Sequence, residues 1–208
     1  MQRLVARQLA HPSGIVGRLF LAPMWNRRNA ALNDAALDRL DLQPDDRVLD
    51  VGFGGGYLLG RMARVVDRGF LAGADVSAGL VSRGERRFRV LIEKGRLQLE
   101  CAPAESLPFS DGHFTKVCSV NSLFYWEDVP RALGEVARVL VRGGRLVLCY
   151  TKRASLEKRA FSREEQVVAY DDDQVARLVT EAGFRDPAVT HGEDRHRQFT
   201  CLAAQKRA

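Results

Sequence analysis

The sequence predicts an α/β fold built on a mostly parallel sheet with helices on both faces. Three observations predict it. Strand-like and helix-like segments alternate along the chain. The strand-like segments are apolar throughout instead of alternating, as expected when both faces of a sheet are covered. A glycine-rich stretch, "VGFGGG" at 51–56, joins the first of these strands to a helix; bare backbone at a helix start lets a ligand lie against amide groups.

The elements follow in order. Residues 22–40 carry a helical pattern that ends before "QPDD". "RVLDV" (47–51) reads as a strand, and "YLLGRMARVV" (57–66) as a helix with apolar residues three and four apart. "GFLAGADV" (69–76) is the second strand, and "AGLVSRGERRFRVLIEKG" (78–95) a helix stopped by Gly95. "LQLEC" (97–101) and "FTKVCSVN" (114–121) are strands three and four. "VPRALGEVARVLVRGG" (129–144) is a helix closed by a glycine pair, followed by strand five, "RLVLCY" (145–150). After a polar segment at 151–170, "DDDQVARLVTEAGF" (171–184) reads as a helix with an acidic start and a glycine stop. Two closing strands are expected near 187–191 and 198–204.

Composition bounds the function. The chain has 208 residues, 46% hydrophobic and 28% charged, as in a soluble globular protein. It has no apolar run of about 18 residues, so no membrane-spanning helix is expected. A net charge of +6 permits an anionic partner without requiring one. The densest basic cluster, "SRGERRFRVLIEKGR" (82–96), mixes signs at helical spacing and reads as a solvated face before it reads as a nucleic-acid contact. The four cysteines, Cys101, Cys118, Cys149 and Cys201, have no zinc-ligand spacing, and no metal site is expected. Three lie in strand-like runs, where buried free thiols are expected, in keeping with a reducing cytoplasm. From Met1 to Asn33 the chain has no acidic residue but carries Arg3, Arg7, Arg18, Arg27 and Arg28. Such a start suits a transit peptide, a membrane-touching segment or a cover over a site; the cover is the reading favoured here.

The glycine turn narrows the ligand. A dinucleotide fingerprint would need glycine at 52, 54 and 57, and position 57 is Tyr57. The spacing present is Gly52, Gly54 and Gly56, preceded by Asp50. "VLDVGFGGG" resembles motif I of the class I S-adenosylmethionine-dependent methyltransferases. "GADVS" with Asp75, "CAPAESLPFSDGHFTKV" (101–117), "NSLFYWEDVPRALGEVARVLVRGGRLVL" (121–148) and "VARLVTEAGF" (175–184) resemble further stretches of that family in the same order. The resemblance covers about residues 45–204.

It implies a Rossmann-like seven-stranded sheet in the order 3-2-1-4-5-7-6 with the last strand antiparallel. Residues 1–40 would form a helical lid and 41–208 the S-adenosylmethionine-binding domain. It implies S-adenosyl-L-methionine as cofactor and S-adenosyl-L-homocysteine as product. Gly52, Phe53, Gly54 and Gly56 would lie against the cofactor and Asp50 would face its ammonium. Asp75 would take the ribose hydroxyls, and Val76, Ser77, Leu80, the Ala104 backbone and Glu105 would surround the adenine. Asn121 and Ser122 would flank the methionine end.

Two departures stand out: Pro103 occupies a place where the family commonly has an acid, and Thr115 another. The implied reaction is methyl transfer to a small, lipophilic or aromatic acceptor, achieved mainly by positioning. Candidate bases are His191, His196, His11 and Tyr125. Trp25, Asn29, Asn33, Tyr125 and Trp126 are candidates for the acceptor wall or lid. RNA as acceptor, and a non-catalytic cofactor-binding subunit, are the alternatives.

Overall fold

The structure is a computed structural model, and it describes residues 29–157 and 168–208. Its elements are α1 (Ala30–Leu40), β1 (Arg47–Val51), α2 (Tyr57–Met62), β2 (Phe70–Asp75), α3 (Ala78–Arg87), α4 (Arg89–Glu93), β3 (Leu97–Cys101), β4 (Phe114–Val120), a 3-10 turn (Leu123–Tyr125), α5 (Val129–Val139), β5 (Leu140–Thr151), α6 (Arg153–Glu157), α7 (Asp172–Glu181), β6 (Phe184–Asp194) and β7 (Arg197–Lys206). The seven strands form one sheet in the order β3-β2-β1-β4-β5-β7-β6. β1 pairs in parallel with β2 and β4, and β7 runs antiparallel to both of its neighbours. The predicted strand order and the single reversed strand are therefore both present.

Each face of the sheet carries its own core. One joins α5 and α7 to the sheet through Leu133, Val136, Val139, Val175, Val179 and Tyr150. The other joins α1, α2 and α3 through Leu32, Ala36, Leu40, Leu59, Met62 and Val81. Helix boundaries follow local chemistry. Asp128 caps α5 by accepting the Arg131 N–H at 3.0 Å, with Pro130 in the first turn where its missing N–H costs nothing. A capping box opens α7, in which Asp171 and Gln174 exchange bonds. Gly95 (φ +66°) and Gly183 (φ +95°) end their helices in the left-handed region, as expected.

Four expectations are corrected. The helix expected over 78–95 breaks at Phe88, whose ring turns inward to 2.7 Å from where a Gly56 Cβ would stand. α5 ends at Val139 instead of running to the glycine pair. Leu140 pairs with Phe114 on β4 and Arg145 resumes at Lys116, so residues 141–144 bulge out opposite Thr115. β6 and β7 are longer than expected because they pair with each other along almost their whole length, with one register shift between Arg185 and Ala188, and β7 also pairs with β5. Finally, Cys149 and Cys201 are not free thiols. They oppose each other across β5 and β7 with Cα atoms 4.1 Å apart and are joined by a disulfide, while Cys118 is a buried free thiol. Among the described residues no helix is long and apolar enough to cross a membrane, and no group of three or more metal-ligating side chains occurs.

Candidate active site

β1 delivers its carboxyl end into a turn held by three left-handed glycines, Gly52 (φ +77°), Gly54 (φ +53°) and Gly56 (φ +69°). Side chains disfavour this backbone region, so the turn requires glycine at these places. At Gly52 the requirement is doubled: a Cβ there would lie 2.6 Å from Ser122 Cβ. Before Gly54 the space is open, with nothing nearer than the Gly52 carbonyl at 4.0 Å.

The turn is fastened to β2. The Gly52 N–H donates to the Ala74 carbonyl at 2.7 Å, and the Gly54 N–H donates to Asp75 Oδ2 at 3.0 Å. The other carboxylate oxygen of Asp75 accepts the Ser77 N–H at 2.9 Å. Ser77 in turn caps α3, accepting the Leu80 N–H. Asp75 therefore joins the turn, β2 and α3 at one point.

Asp50 lies beneath, 2% exposed. Burial, and then the neighbouring Asp75 charge, push its carboxyl up to about 7, against a hydrogen bond from the Cys118 thiol. The charge on Asp75 beside it thus favours the protonated form of Asp50.

The structure brings some candidates together and separates others. Asp50, Gly52, Gly54, Gly56, Asp75, Val76, Ser77, Leu80, Asn121 and Ser122 sit at the carboxyl ends of β1, β2 and β4 or just beyond them. Val76 is 53% exposed, an apolar side chain left uncovered beside the crevice. Phe53 does not face the crevice. It is buried against β2 and α3, where Cβ atoms on Gly73 and Gly84 would stand 2.7 and 3.2 Å from its ring. Its role in the structure is to anchor the turn.

Ser122 is engaged with the turn itself, donating to the Val51 carbonyl at 3.1 Å and bonding Ser119. Ala104 is buried, and Glu105 accepts the Asp128 N–H at 3.1 Å, tying its loop to the start of α5. Tyr125 is exposed beside Phe124, and Trp126 packs on the α5–α7 core. Thr115, one of the two departures, donates to Asp46 at 2.7 Å at the opposite end of the sheet, where Asp46 also pairs with Lys116 at 2.6 Å.

His191 and His196 are not near the glycine turn. His191 lies on β6, three strands from β4, or roughly 14 Å at about 4.8 Å per strand. There it meets Asp172 at 2.7 Å. His196 lies between β6 and β7, with its N–H on Asp194. His11 and Trp25 fall outside the described residues. Asn29 precedes α1 and Asn33 is buried; α1 itself packs in the core through Leu32, Ala36 and Leu40.

Sequence reasoning missed a set of side chains at the ends of β5 and β7. Asp172 accepts from Tyr150 (3.0 Å) and Thr200 (2.7 Å) and pairs with Lys152 (3.7 Å) as well as His191. Burial alone would raise its carboxyl; hydrogen bonds from Thr200, His191 and Tyr150 and the Lys152 charge together hold it below the usual carboxylate range. Thr151 donates to Asn121 Oδ1 at 2.7 Å and accepts from Arg197 at 3.2 Å. The only sequence signal for this set was the polar "YT" closing an apolar strand.

The comparisons with known proteins agree with this arrangement. Residues 49–148 match the Methyltransferase domain family. The chain is 27% identical over 180 residues to the uncharacterized methyltransferase YdaC of Bacillus subtilis (strain 168), spanning 86% of this chain and 94% of that protein. It is 36% identical over 106 residues to the demethylmenaquinone methyltransferase of Symbiobacterium thermophilum, spanning 50% of this chain and 42% of that enzyme.

Among solved structures it is similar to the geranyl diphosphate C-methyltransferase from Streptomyces coelicolor A3(2), in complex with Mg2+, geranyl-S-thiolodiphosphate and S-adenosyl-L-homocysteine. The TM-score is 0.72 at 17% identity, over 86% of this chain and 77% of that one; this likeness speaks for the fold. With the sheet order, the glycine turn and these matches together, the chain carries a methyltransferase domain over residues 49–148 and has the fold of the class I S-adenosylmethionine-dependent methyltransferases.

Proposed function

We propose that this enzyme transfers a methyl group to a small, lipophilic or aromatic acceptor. The observation that carries the reading is the junction at Asp75, where three left-handed glycines bring bare backbone against a carboxylate.

The residues present fit the cofactor. The open space before Gly54 admits its amino-acid end and ribose. Asp75 accepts from the ribose hydroxyls; such charge-assisted bonds contribute about 1.5–3 kcal/mol each. The buried Asp50 faces the ammonium. Val76 and Leu80 offer an apolar surface to the adenine, and the Ala104 backbone meets its edge. When bound, S-adenosyl-L-methionine supplies a methyl group already activated on a sulfonium.

The chain's own contribution is then to hold the acceptor in line and exclude water. Orientation of that kind recovers roughly 7–11 kcal/mol of barrier. Among the described residues no histidine adjoins the turn, which favours an acceptor whose nucleophile is already electron-rich, such as a phenolate or enolate carbon or oxygen. Tyr125 and Trp126, just after β4, form one wall of its pocket. The names of the relatives, a demethylmenaquinone enzyme and a geranyl diphosphate C-methyltransferase, support a lipophilic acceptor.

The test is transfer of isotope-labelled methyl from S-adenosyl-L-methionine in extracts supplemented with the purified protein. Label appearing in organic-extractable small molecules is expected. Label confined to RNA would overturn the acceptor class, and no label above a Gly52→Val control would overturn catalysis.

A further inference from the structure

The chain Arg197–Thr151–Asn121 starts at a group that can only donate and runs in one direction. The Arg197 side chain is 2% exposed, and Thr151 is buried beside it. A guanidinium only donates, so the Thr151 oxygen accepts from it, at 3.2 Å. Thr151 donates its single proton to Asn121 Oδ1, at 2.7 Å. The Asn121 carbonyl is thereby turned toward β5, and its NH2 group is turned away from Thr151, at the end of β4 beside β1.

That NH2 group has no bond to another described residue, and Asn121 is half-buried at the end of β4. The backbone there is left-handed (φ +59°), an uncommon state for a residue other than glycine and one that tends to persist at functional sites. Hydrogen bonds in series polarise one another, so the buried cation at one end strengthens the donor at the other.

We infer that Arg197 and Thr151 are positioning residues that make Asn121 an obligate hydrogen-bond donor, forming a subsite for an anionic oxygen beside the cofactor turn. The inference rests on the cofactor reading above and deepens it. The anionic oxygen has two sources, the carboxylate at the amino-acid end of the cofactor or an ionised oxygen of the acceptor.

Calorimetry on the full chain separates these sources with three probes. They are S-adenosyl-L-homocysteine; 5′-methylthioadenosine, which lacks the amino acid; and 2-hydroxy-1,4-naphthoquinone, an enolate at neutral pH, titrated into protein saturated with S-adenosyl-L-homocysteine. The key variant is Thr151→Val, which keeps shape and removes the relay.

A loss of about tenfold or more for S-adenosyl-L-homocysteine, with 5′-methylthioadenosine unchanged, supports the subsite and assigns it to the cofactor carboxylate. An unchanged thioether with a similar loss for the naphthoquinone supports it and assigns it to the acceptor. In either case Thr151→Ser restores binding, and Asn121→Asp, which replaces the donor with a charge, weakens the same probe further. Asn121→Asp also serves alone if Thr151→Val does not fold.

Equal weakening of all probes, no change in any, failure of Thr151→Ser to restore, or no naphthoquinone binding by the parent protein together with an unmoved thioether overturns the inference. Failure of the parent protein to bind either adenosine probe overturns the cofactor reading first, and this subsite with it.

Discussion

The two halves of the sheet hold their ends of the crevice by different means. On the β1–β2 side the machinery is backbone: three glycines in the left-handed region, two amide hydrogens on Asp75, and a phenyl anchor beneath. All of it lies within residues 50–84. On the β5–β7 side the machinery is side chain. Asp172 gathers Tyr150, Thr200, His191 and Lys152, while Arg197 reaches Asn121 through Thr151. These partners come from β5, β6, β7, the residues just after β4 and β5, and the start of α7. The first half is a rigid cradle whose shape follows from missing side chains. The second is a polar lattice whose sense follows from which groups can only donate or only accept.

The contrast is tested most strongly at Phe53. Phe53→Ala empties a space bounded by Gly73, Gly84 and Leu99, and is expected to cost about 3–5 kcal/mol in urea unfolding. It should also weaken S-adenosyl-L-homocysteine binding, because the turn loses its anchor. Full retention of affinity would show that the glycines hold the cradle without it.

Asp50 gives a pH signature next. Its carboxyl rises from 3.8 to about 7 on folding, so the folded state binds the proton more tightly in that window. Stability therefore falls as pH rises toward about 7. At about 1.36 kcal/mol per unit, the contribution between roughly pH 5 and pH 8 is near 3 kcal/mol. Asp50→Asn is expected to flatten this part of the melting-temperature profile of the ligand-free protein. An unchanged slope would place the burden on another group.

Asp172 has the opposite sign. Its carboxyl is lowered on folding, so its stabilisation is present above its unfolded value of 3.8 and is lost as pH falls through the folded one. Asp172→Ala leaves the Tyr150 and Thr200 hydroxyls without their acceptor, at about 2 kcal/mol in chemical denaturation. The cradle should keep its affinity for 5′-methylthioadenosine. If that affinity drops with the stability, the two halves are coupled instead of separate.

The smallest lower bound is set at Asp75. Asp75→Ala should weaken S-adenosyl-L-homocysteine binding by at least tenfold, or about 1.4 kcal/mol. An unchanged dissociation constant would mean that the ribose is held elsewhere.

Much of the fold was legible because its signals are local. Gly95 and Gly183 mark helix ends, the acidic start at Asp171 marks a helix beginning, and the spacing of Gly52, Gly54 and Gly56 marks the turn. The errors lie where a distant partner overrode a local preference. Leu140 left a helical pattern to pair with Phe114, and Phe88 broke another to pack over Gly56. Phe53 is expected against the cofactor, yet its ring seats against Gly73 and Gly84, since sequence position in a turn does not say which way a ring faces. His191 was a reasonable base by residue type, but the strand order puts it at the outer edge of the sheet.

The sequence by itself determined the layered α/β architecture, the turn after β1 and the acidic residue ending β2. Hydrophobic period, glycine and capping residues act over a few positions and need no knowledge of the rest of the chain. Only the tertiary structure decided that Cys149 meets Cys201, that Phe53 seats against Gly73 and Gly84, and that Arg197 sets the sense of an amide 76 positions earlier. Those are contacts between remote segments, fixed by strand register and by burial, where a hydrogen bond must find whichever partner the fold brings within reach.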